Sequence, residues 1–365
     1  RDLPSFPTRR SSDLMIAVLV AATVARTADF SATAPTGQTL YYNITSSTTL
    51  SVVAPGGSSW SGYAAPAGRL QIPSQVTYNG TDYTVTAIAN DALRQCMDLT
   101  SVTVPGTVKS IGYTAFFRCT ALTSVFVADG LETIGRMAFA ACAALDTIEL
   151  PMSLVQIGIS AFIGTAYESD AANWSGGMMC IGKYVVAVNT TIDSTVIVPY
   201  GMLGIGNGAF YYCHNLPKVV LPGGLRFIGN LAFSDCEVLD TVVMLAPEPP
   251  TLGDDAFAGV PSVTVVVPCG SGAAYRSAQY WSALNIVEDT CPVAIVNVAD
   301  EEVSVAVVSG RVVVSGAHGS PVRVCDMMGR TVYAAQCGVH VVPLPSKGIY
   351  LVTVGGATRK VAYLK

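Results

Sequence analysis

The sequence predicts a mainly β fold with short helical turns: a solenoid of stacked 23-residue coils, followed by a small C-terminal β-sandwich. Three observations predict it. Apolar residues recur at a fixed step of 23, with Ile88, Ile111, Ile134 and Ile157 in one series and Phe116, Phe139 and Phe162 in another. From about residue 291 that period stops and short alternating runs replace it. The composition, 51% apolar and 12% charged with 34 glycines and 20 prolines spread along the chain, suits many short strands and turns and not disorder.

Residues 1–14 are set aside from the fold, because Ser5–Leu14, SFPTRRSSDL, resembles a translated sequencing adapter. Residues 15–28 read as the remnant of a secretory signal peptide. The apolar run Met15–Ala25 is too short to span a bilayer, and it ends in small residues, with Ala25 and Ala28 as candidate cleavage points. No other apolar run approaches the roughly 20 residues of a membrane helix, so no transmembrane segment is expected in the mature chain. Residues 29–84 form an N-terminal β cap region in this reading.

The repeats occupy residues 85–290. One unit reads I-G-x-x-A-F-x-x-C-x-x-L-x-x-V-x-L-P, as in Ile134–Pro151, IGRMAFAACAALDTIELP. Its second half alternates: Leu145, Ile148 and Leu150 point one way, Thr147 and Glu149 the other, which is a half-buried strand. Pro151 ends it, because proline cannot donate to a backbone ladder. The first half spaces its apolar residues by three to four, which suits a helical turn or a tight curved return.

The core positions are Ile111, Phe116, Cys119, Ile134, Phe139, Cys142, Ile157 and Phe162, then Ile205, Phe210, Cys213, Ile228, Phe233 and Cys236 after an irregular insertion at 164–200. Ordering 23 backbones costs roughly 1–2 kcal/mol each, and six buried apolar side chains return only about 1.5–3 kcal/mol each. A coil is therefore stable only when neighbours stack, share a core and pair their strands into one long parallel sheet.

The A-F-x-x-C and L-x-x-V-x-L-P signatures resemble BspA-like leucine-rich repeats, common in surface proteins of Bacteroidetes, treponemes and some protists. Asp29–Thr45 and Tyr78–Ile88 resemble the segments that open such proteins, and Val263–Asp289 resembles their final repeat. In that last segment Tyr275, Trp281 and Ile286 would close the open end of the stack.

Residues 291–365 contain six short alternating runs with Gly310, Gly329 and Gly348 in the turns, which reads as a small β-sandwich. Val322–Tyr333 (VRVCDMMGRTVY), Leu344–Val352 (LPSKGIYLV) and the pair Arg359-Lys360 resemble a C-terminal sorting domain of the type IX secretion system. Gly329, Gly348, Tyr350 and Lys360 carry that motif. The resemblance implies export by the type IX machinery, removal of this domain, and a secreted or outer-membrane surface location.

Chemistry is sparse. A net charge of −5 argues against a nucleic-acid partner, and three histidines leave little for general acid–base work. No C-x-x-C pair suggests a tetrahedral metal site. Cys96, Cys119, Cys142, Cys213 and Cys236 share one repeat slot and read as a row of small buried thiols. Cys269 with Cys291, and Cys325 with Cys337, are the non-repeat pairs that an oxidising compartment could join. Gly204-x-Gly206-x-Gly208, the Cys213-His214 neighbours and Asp254-Asp255 read as features of the repeat. No cofactor, metal or catalytic residue is expected.

The candidate binding face is the outward side of the strands: Ser101, Thr103, Ser124, Phe126, Thr147, Glu149, Lys218, Val220, Thr241, Val243, Thr264 and Val266. Phe126, Val220, Val243 and Val266 would be exposed apolar groups, which often mark interaction surfaces; equally, β-branched residues merely favour strands. The resemblance implies host extracellular-matrix proteins, glycans or other bacterial cells as partners. A structural envelope scaffold or spacer without a specific ligand is the alternative.

Overall fold

The computed structural model describes residues 27–289 and, beyond them, the seven strands between Ser304 and Tyr363. The adapter-like segment 1–14, most of the leader at 15–28, and Cys291, Cys337 and Gly329 lie outside the described residues.

Each coil contributes two strands to two separate parallel sheets. Leu99–Val104, Ser124–Val127 and Thr147–Glu149 pair in register, with Val102 opposite Val125 and Val125 opposite Ile148. The second sheet is made of two-residue strands at the Ile-Gly step: Ser110–Ile111, Thr133–Ile134 and Gln156–Ile157. The same two sheets recur after the insertion, through Lys218–Leu221, Thr241–Met244 and Thr264–Val267 on the long side.

In the returns that follow Ile111 and Ile134 the chain turns tightly and forms no α-helix. Two slots per coil hold left-handed backbone, three and seven residues after the isoleucine: Thr114 and Arg118 at φ +47° and +59°, Met137 and Ala141 at +55° and +58°. A right-handed helix cannot pass through such residues, and each non-glycine in this region costs about 1–2 kcal/mol. Hydrogen bonding offsets that cost. The amides of Thr114, Phe116 and Arg118 donate to the carbonyls of Arg136, Ala138 and Ala140 on the next coil at 3.1, 2.8 and 3.0 Å. Ala115, Phe117 and Cys119 between them donate three residues back within their own coil at 3.4, 3.0 and 3.1 Å. Alternate amides thus close the turns and tie the coils together, so the backbone is satisfied without a helix.

The core runs through the coils. Ile111, Phe116, Cys119, Ile134, Phe139, Cys142, Ile157 and Phe162 are buried in one cluster; Ile205, Phe210, Cys213, Ile228, Phe233 and Cys236 are buried in a second. Phe116, Phe139 and Phe162 stack nearly parallel at centroid spacings of 5.0 and 5.4 Å, and Phe210, Phe233 and Phe257 at 4.7 and 5.2 Å.

The expectation of one long parallel sheet needs correcting. The long-strand sheet is divided into four strands ending at Thr147–Glu149 and five beginning at Val196–Ile197. The cause is the insertion. Where the next strand belongs, the chain forms a short helix, Ala166–Ser169, and a 3-10 turn, Ala171–Asn173. Thr165 caps the helix, accepting from the Glu168 amide at 3.1 Å. The hairpin Met178–Ile181 to Tyr184–Val188 then places Tyr184 and Val185 parallel to Gly204 and Ile205. The Tyr184 hydroxyl donates to the Pro151 carbonyl at 2.8 Å, and the Asn207 amide to that of Ile157 at 2.8 Å, which joins the two blocks across the break.

Both ends of the stack are covered. Phe30–Thr33, Thr39–Ile44 and Thr49–Val53 form an antiparallel meander whose last strand runs parallel to Thr81–Ile88. At the other end Tyr275 and Trp281 are buried and meet edge to face at 5.1 Å, with polar atoms donating to the carbonyls of Ala246 and Pro250. The C-terminal strands form antiparallel sheets of three and four strands, and Val312, Val314, Val322, Val324, Val342, Tyr350 and Val352 share one core.

At the glycine of the Ile-Gly step one coil lies directly against the backbone of the next. A Cβ on Gly135 would lie 2.5 Å from the carbonyl carbon of Gly112, and one on Gly158 2.3 Å from the Arg136 nitrogen. Gly135→Ala or Gly158→Ala should therefore cost at least about 2 kcal/mol in denaturant unfolding. Gly224→Ala, whose Cβ would sit 3.6 Å from the Met202 carbonyl oxygen, should stay within about 0.5–1 kcal/mol.

Candidate functional site

The outer face of the long-strand sheet is built by alternation. Val102, Val125 and Ile148 turn inward, so their neighbours turn outward. Parallel register then aligns these neighbours in rows. Gln71, Thr103, Phe126 and Glu149 form one row, and Arg69, Ser101, Ser124 and Thr147 the next. Thr103, Phe126 and Glu149 are exposed, so the first block presents a polar surface with one aromatic ring at its centre, 37% exposed.

The second block differs, and two expectations are overturned. Val220 and Val243 are only 1% and 4% exposed, Val266 is half-buried, and Lys218 is half-buried. The register supplies a reason. Ile197, Val220, Val243, Val266 and Val287 stand opposite one another on five successive strands. At a strand spacing of about 4.8 Å each central valine is flanked on both sides by branched apolar side chains. Only the ends of the row, Ile197 and Val287, are open, each 42% exposed. Phe126 has no such shield, because Thr103 and Glu149 flank it.

The model of the BspA-type leucine-rich-repeat region matches residues 86–199 and 179–271 with six copies, just over half of the chain. This chain belongs to the BspA-type leucine-rich-repeat family. Residues 292–362 match a domain of unknown function, DUF6383. No curated protein matches the chain. Among solved structures it is similar to a leucine-rich-repeat protein from Bacteroides capillosus (31% identity over 35% of this chain and 88% of that one, TM-score 0.31). It is also similar to one from Bacteroides ovatus (20%, 71% and 76%, TM-score 0.35) and to the Treponema pallidum leucine-rich-repeat protein (23%, 67% and 90%, TM-score 0.33).

Several returns of this chain carry a cysteine, and for three of them the thiol has a partner. Cys119 Sγ donates to the Leu93 carbonyl at 3.1 Å, Cys142 to Phe116 at 3.0 Å and Cys236 to Phe210 at 3.1 Å. Burial pushes the Cys96 thiol up to about 12. The hydrogen bond with the Cys142 thiol, together with burial, drives Cys119 upward as well. A thiol held protonated, as in Cys96 and Cys119, is a poor nucleophile; in Cys213 the hydrogen bond with the Cys236 thiol shifts the pKa downward instead.

The other motifs of the sequence do not assemble into a site among the described residues. Cys213 is buried while its neighbour His214 stands at the surface, 3.6 Å from Glu237. The amides of Gly206 and Gly208 already donate to Val185 and Asn230, both at 2.8–2.9 Å, so the glycine run offers no phosphate cradle. Asp254 and Asp255 are solvated in a turn. Among the described residues no group of three or more His, Cys, Asp or Glu could hold a metal, and no helix is long and apolar enough to cross a membrane. In the C-terminal fold Gly348 begins the strand Gly348–Val354, Tyr350 is buried in the core, and Lys360 lies on Ala357–Tyr363 opposite Leu351.

The rows extend further than the repeat pattern implied. Arg69 and Gln71 belong to Gly68–Gln71 in the cap region, and Ile197 lies in the insertion, where the 23-residue step offers no guide. The run Val196–Pro199, V-x-V-P, was the signal that could have placed Ile197 on a repeat strand. Phe126→Ala should change stability by no more than about 0.5–1 kcal/mol. Val243→Asp buries an unpaired charge and should cost about 3 kcal/mol or more in thermal or denaturant unfolding.

Proposed function

We propose that this chain is a secreted or surface-displayed binding protein that holds partners along the outer face of its first block, without catalysis. The observation that carries this reading is the in-register, exposed row Thr103–Phe126–Glu149, bordered by Arg69, Ser101, Ser124 and Thr147 on strands the core holds rigid. A ring flanked by hydroxyl and carboxylate groups on a preformed sheet suits many modest contacts, since little ordering cost is added on binding. The partner classes proposed are host extracellular-matrix proteins, glycans and other bacterial cells.

The C-terminal domain is proposed to direct export through the type IX secretion machinery and to be removed there. Its sequence supports this through Gly348-Ile349-Tyr350 and Arg359-Lys360, and the two-sheet core around Tyr350 supports an independently folded module. Deleting residues 291–365 should trap the protein in the periplasm, read by fractionation and surface proteolysis. Normal display of the truncated chain would overturn the sorting role.

Binding is tested by displaying the intact chain and measuring adhesion to matrix proteins, glycans and bacterial cells. Phe126→Asp, at an exposed site, should reduce adhesion at least about tenfold with unfolding unchanged. Adhesion that is absent across the panel at micromolar protein, or untouched by Phe126→Asp and Ile197→Asp, favours a spacer in the envelope.

A further inference from the structure

The returns carry a charge pattern of their own. After Ile88, Ile111 and Ile134 the returns at 89–98, 112–121 and 135–144 hold Arg94, Arg118 and Arg136 against Asp91 and Asp98. The returns at 206–215, 229–238 and 253–262 hold no lysine or arginine, only Asp235, Glu237, Asp254 and Asp255. Among these returns positive charge is confined to the first block. We propose that Arg94 and Arg118, braced on the ring of Phe117, form a site for the sulfate groups of a polysaccharide.

The stacking of the coils brings these groups together. Arg94 and Phe117 hold the same repeat position on adjacent coils, and the Gln95 amide donates to the Phe117 carbonyl at 2.8 Å. Arg118 follows in a left-handed slot, φ +59°, with its side chain exposed. The Cζ of Arg94 lies 5.2 Å from the centre of the Phe117 ring and that of Arg118 5.3 Å from it. The negative face of the ring attracts both guanidinium groups and narrows their freedom to rotate. Their charges are unequally compensated. Arg94 Nη1 pairs with Asp91 Oδ1 at 3.0 Å, and the Thr114 hydroxyl donates to the same oxygen at 2.5 Å. Arg118 meets no carboxylate among the described residues. Two like charges thus converge on one ring with a single counter-charge.

A bound anion relieves that excess. Each guanidinium presents a planar fork of N–H donors suited to the oxygens of an anion. One fork already fills a carboxylate, as Asp91 illustrates, whereas the terminal oxygens of a sulfate ester can serve both forks at once. A polysaccharide carries such groups at intervals along its chain, and the exposed Arg136 on the next return offers a further contact in the direction of the stack. Because the ring holds the guanidinium groups before binding, little ordering cost is added when the ligand arrives. This site lies on the returns, apart from the strand face around Phe126, and does not rest on the reading of that face.

The full chain should bind immobilised heparin, the sulfated probe, at micromolar protein, and bind desulfated heparin, hyaluronan and polyglutamate at least about tenfold more weakly. Arg118→Ala should weaken heparin binding at least about tenfold, the worth of one charge-assisted contact. The next coil already carries alanine in this slot, Ala141 at φ +58°, so thermal unfolding should not change. Arg118→Lys should stay clearly weaker than the parent, because an ammonium lacks the fork. Phe117→Leu, which keeps the bulk and loses the ring face, should cost about threefold. Lys183→Ala removes the same charge from the insertion and should change nothing. No heparin binding, or binding untouched by Arg118→Ala, overturns the site. Equal binding of hyaluronan or polyglutamate overturns the sulfate assignment, and a full effect of Lys183→Ala reduces the binding to net charge. Phe126→Ala should leave heparin binding intact, so adhesion at the strand face is judged separately.

Discussion

How closely one coil lies on the next is decided at the glycine of the Ile-Gly step, and the remaining geometry follows from it. The neighbouring backbone occupies the volume a Cβ would need at Gly135 and Gly158. With no side chain there, adjacent coils approach to hydrogen-bonding distance, and alternate amides of the return reach the next coil. That approach sets the 4.7–5.4 Å spacing of the phenylalanine stacks and brings the thiols of Cys119, Cys142 and Cys236 onto carbonyls of the coil before. The left-handed residues are the other half of the arrangement. They turn the chain sharply enough to return it within one coil, and the inter-coil bonds they make possible offset their strain.

The same constraint shapes the outer face. Because every coil repeats one register, a residue type chosen at one strand position faces its counterparts at about 4.8 Å on both sides. In the first block the counterparts are unlike: threonine, phenylalanine and glutamate remain individually exposed. In the second they are alike, and a run of branched side chains shields its own centre. A sheet of this kind has no cleft in which polar groups converge, so whatever it holds must be held by breadth.

The period, the core slots and the strand–return division were legible because each recurs, and a recurrence in one dimension maps directly onto a stack. What could not be read was whatever depends on neighbours across coils. Val220 taken alone is an outward β-branched residue, and its shielding exists only with Ile197 and Val243 beside it. The cysteine row was readable as buried, but not as a row of donors, because the acceptor lies 26 residues away on another coil. The second sheet was hidden for another reason: two-residue strands such as Thr133–Ile134 are too short to leave an alternating pattern. The left-handed slots are filled by glycine in only a few coils, as at Gly164, Gly208 and Gly259; elsewhere residues such as Thr, Arg, Met, Ala, Leu and Tyr stand there and give no turn signal.

The insertion shows how much interruption such a stack tolerates. It removes one long strand and one phenylalanine from the series, and the apolar interior separates there into two clusters. Nearest-neighbour coupling limits the damage, because a coil loses only the contacts of the coil beside it. The replacement contacts are few and specific. Tyr184 packs on Phe227 at 6.0 Å while its hydroxyl holds Pro151, and Arg226 donates to the Met152 carbonyl at 3.0 Å. Phe227 thereby joins the first cluster although its coil belongs to the second. Across the break one backbone bond, from the Asn207 amide to Ile157, is joined by side chains that reach over, whereas within each block the backbone ladder does that work. This division leaves the outer faces of the two blocks free to differ, and they do: polar and open before the insertion, apolar and self-shielded after it.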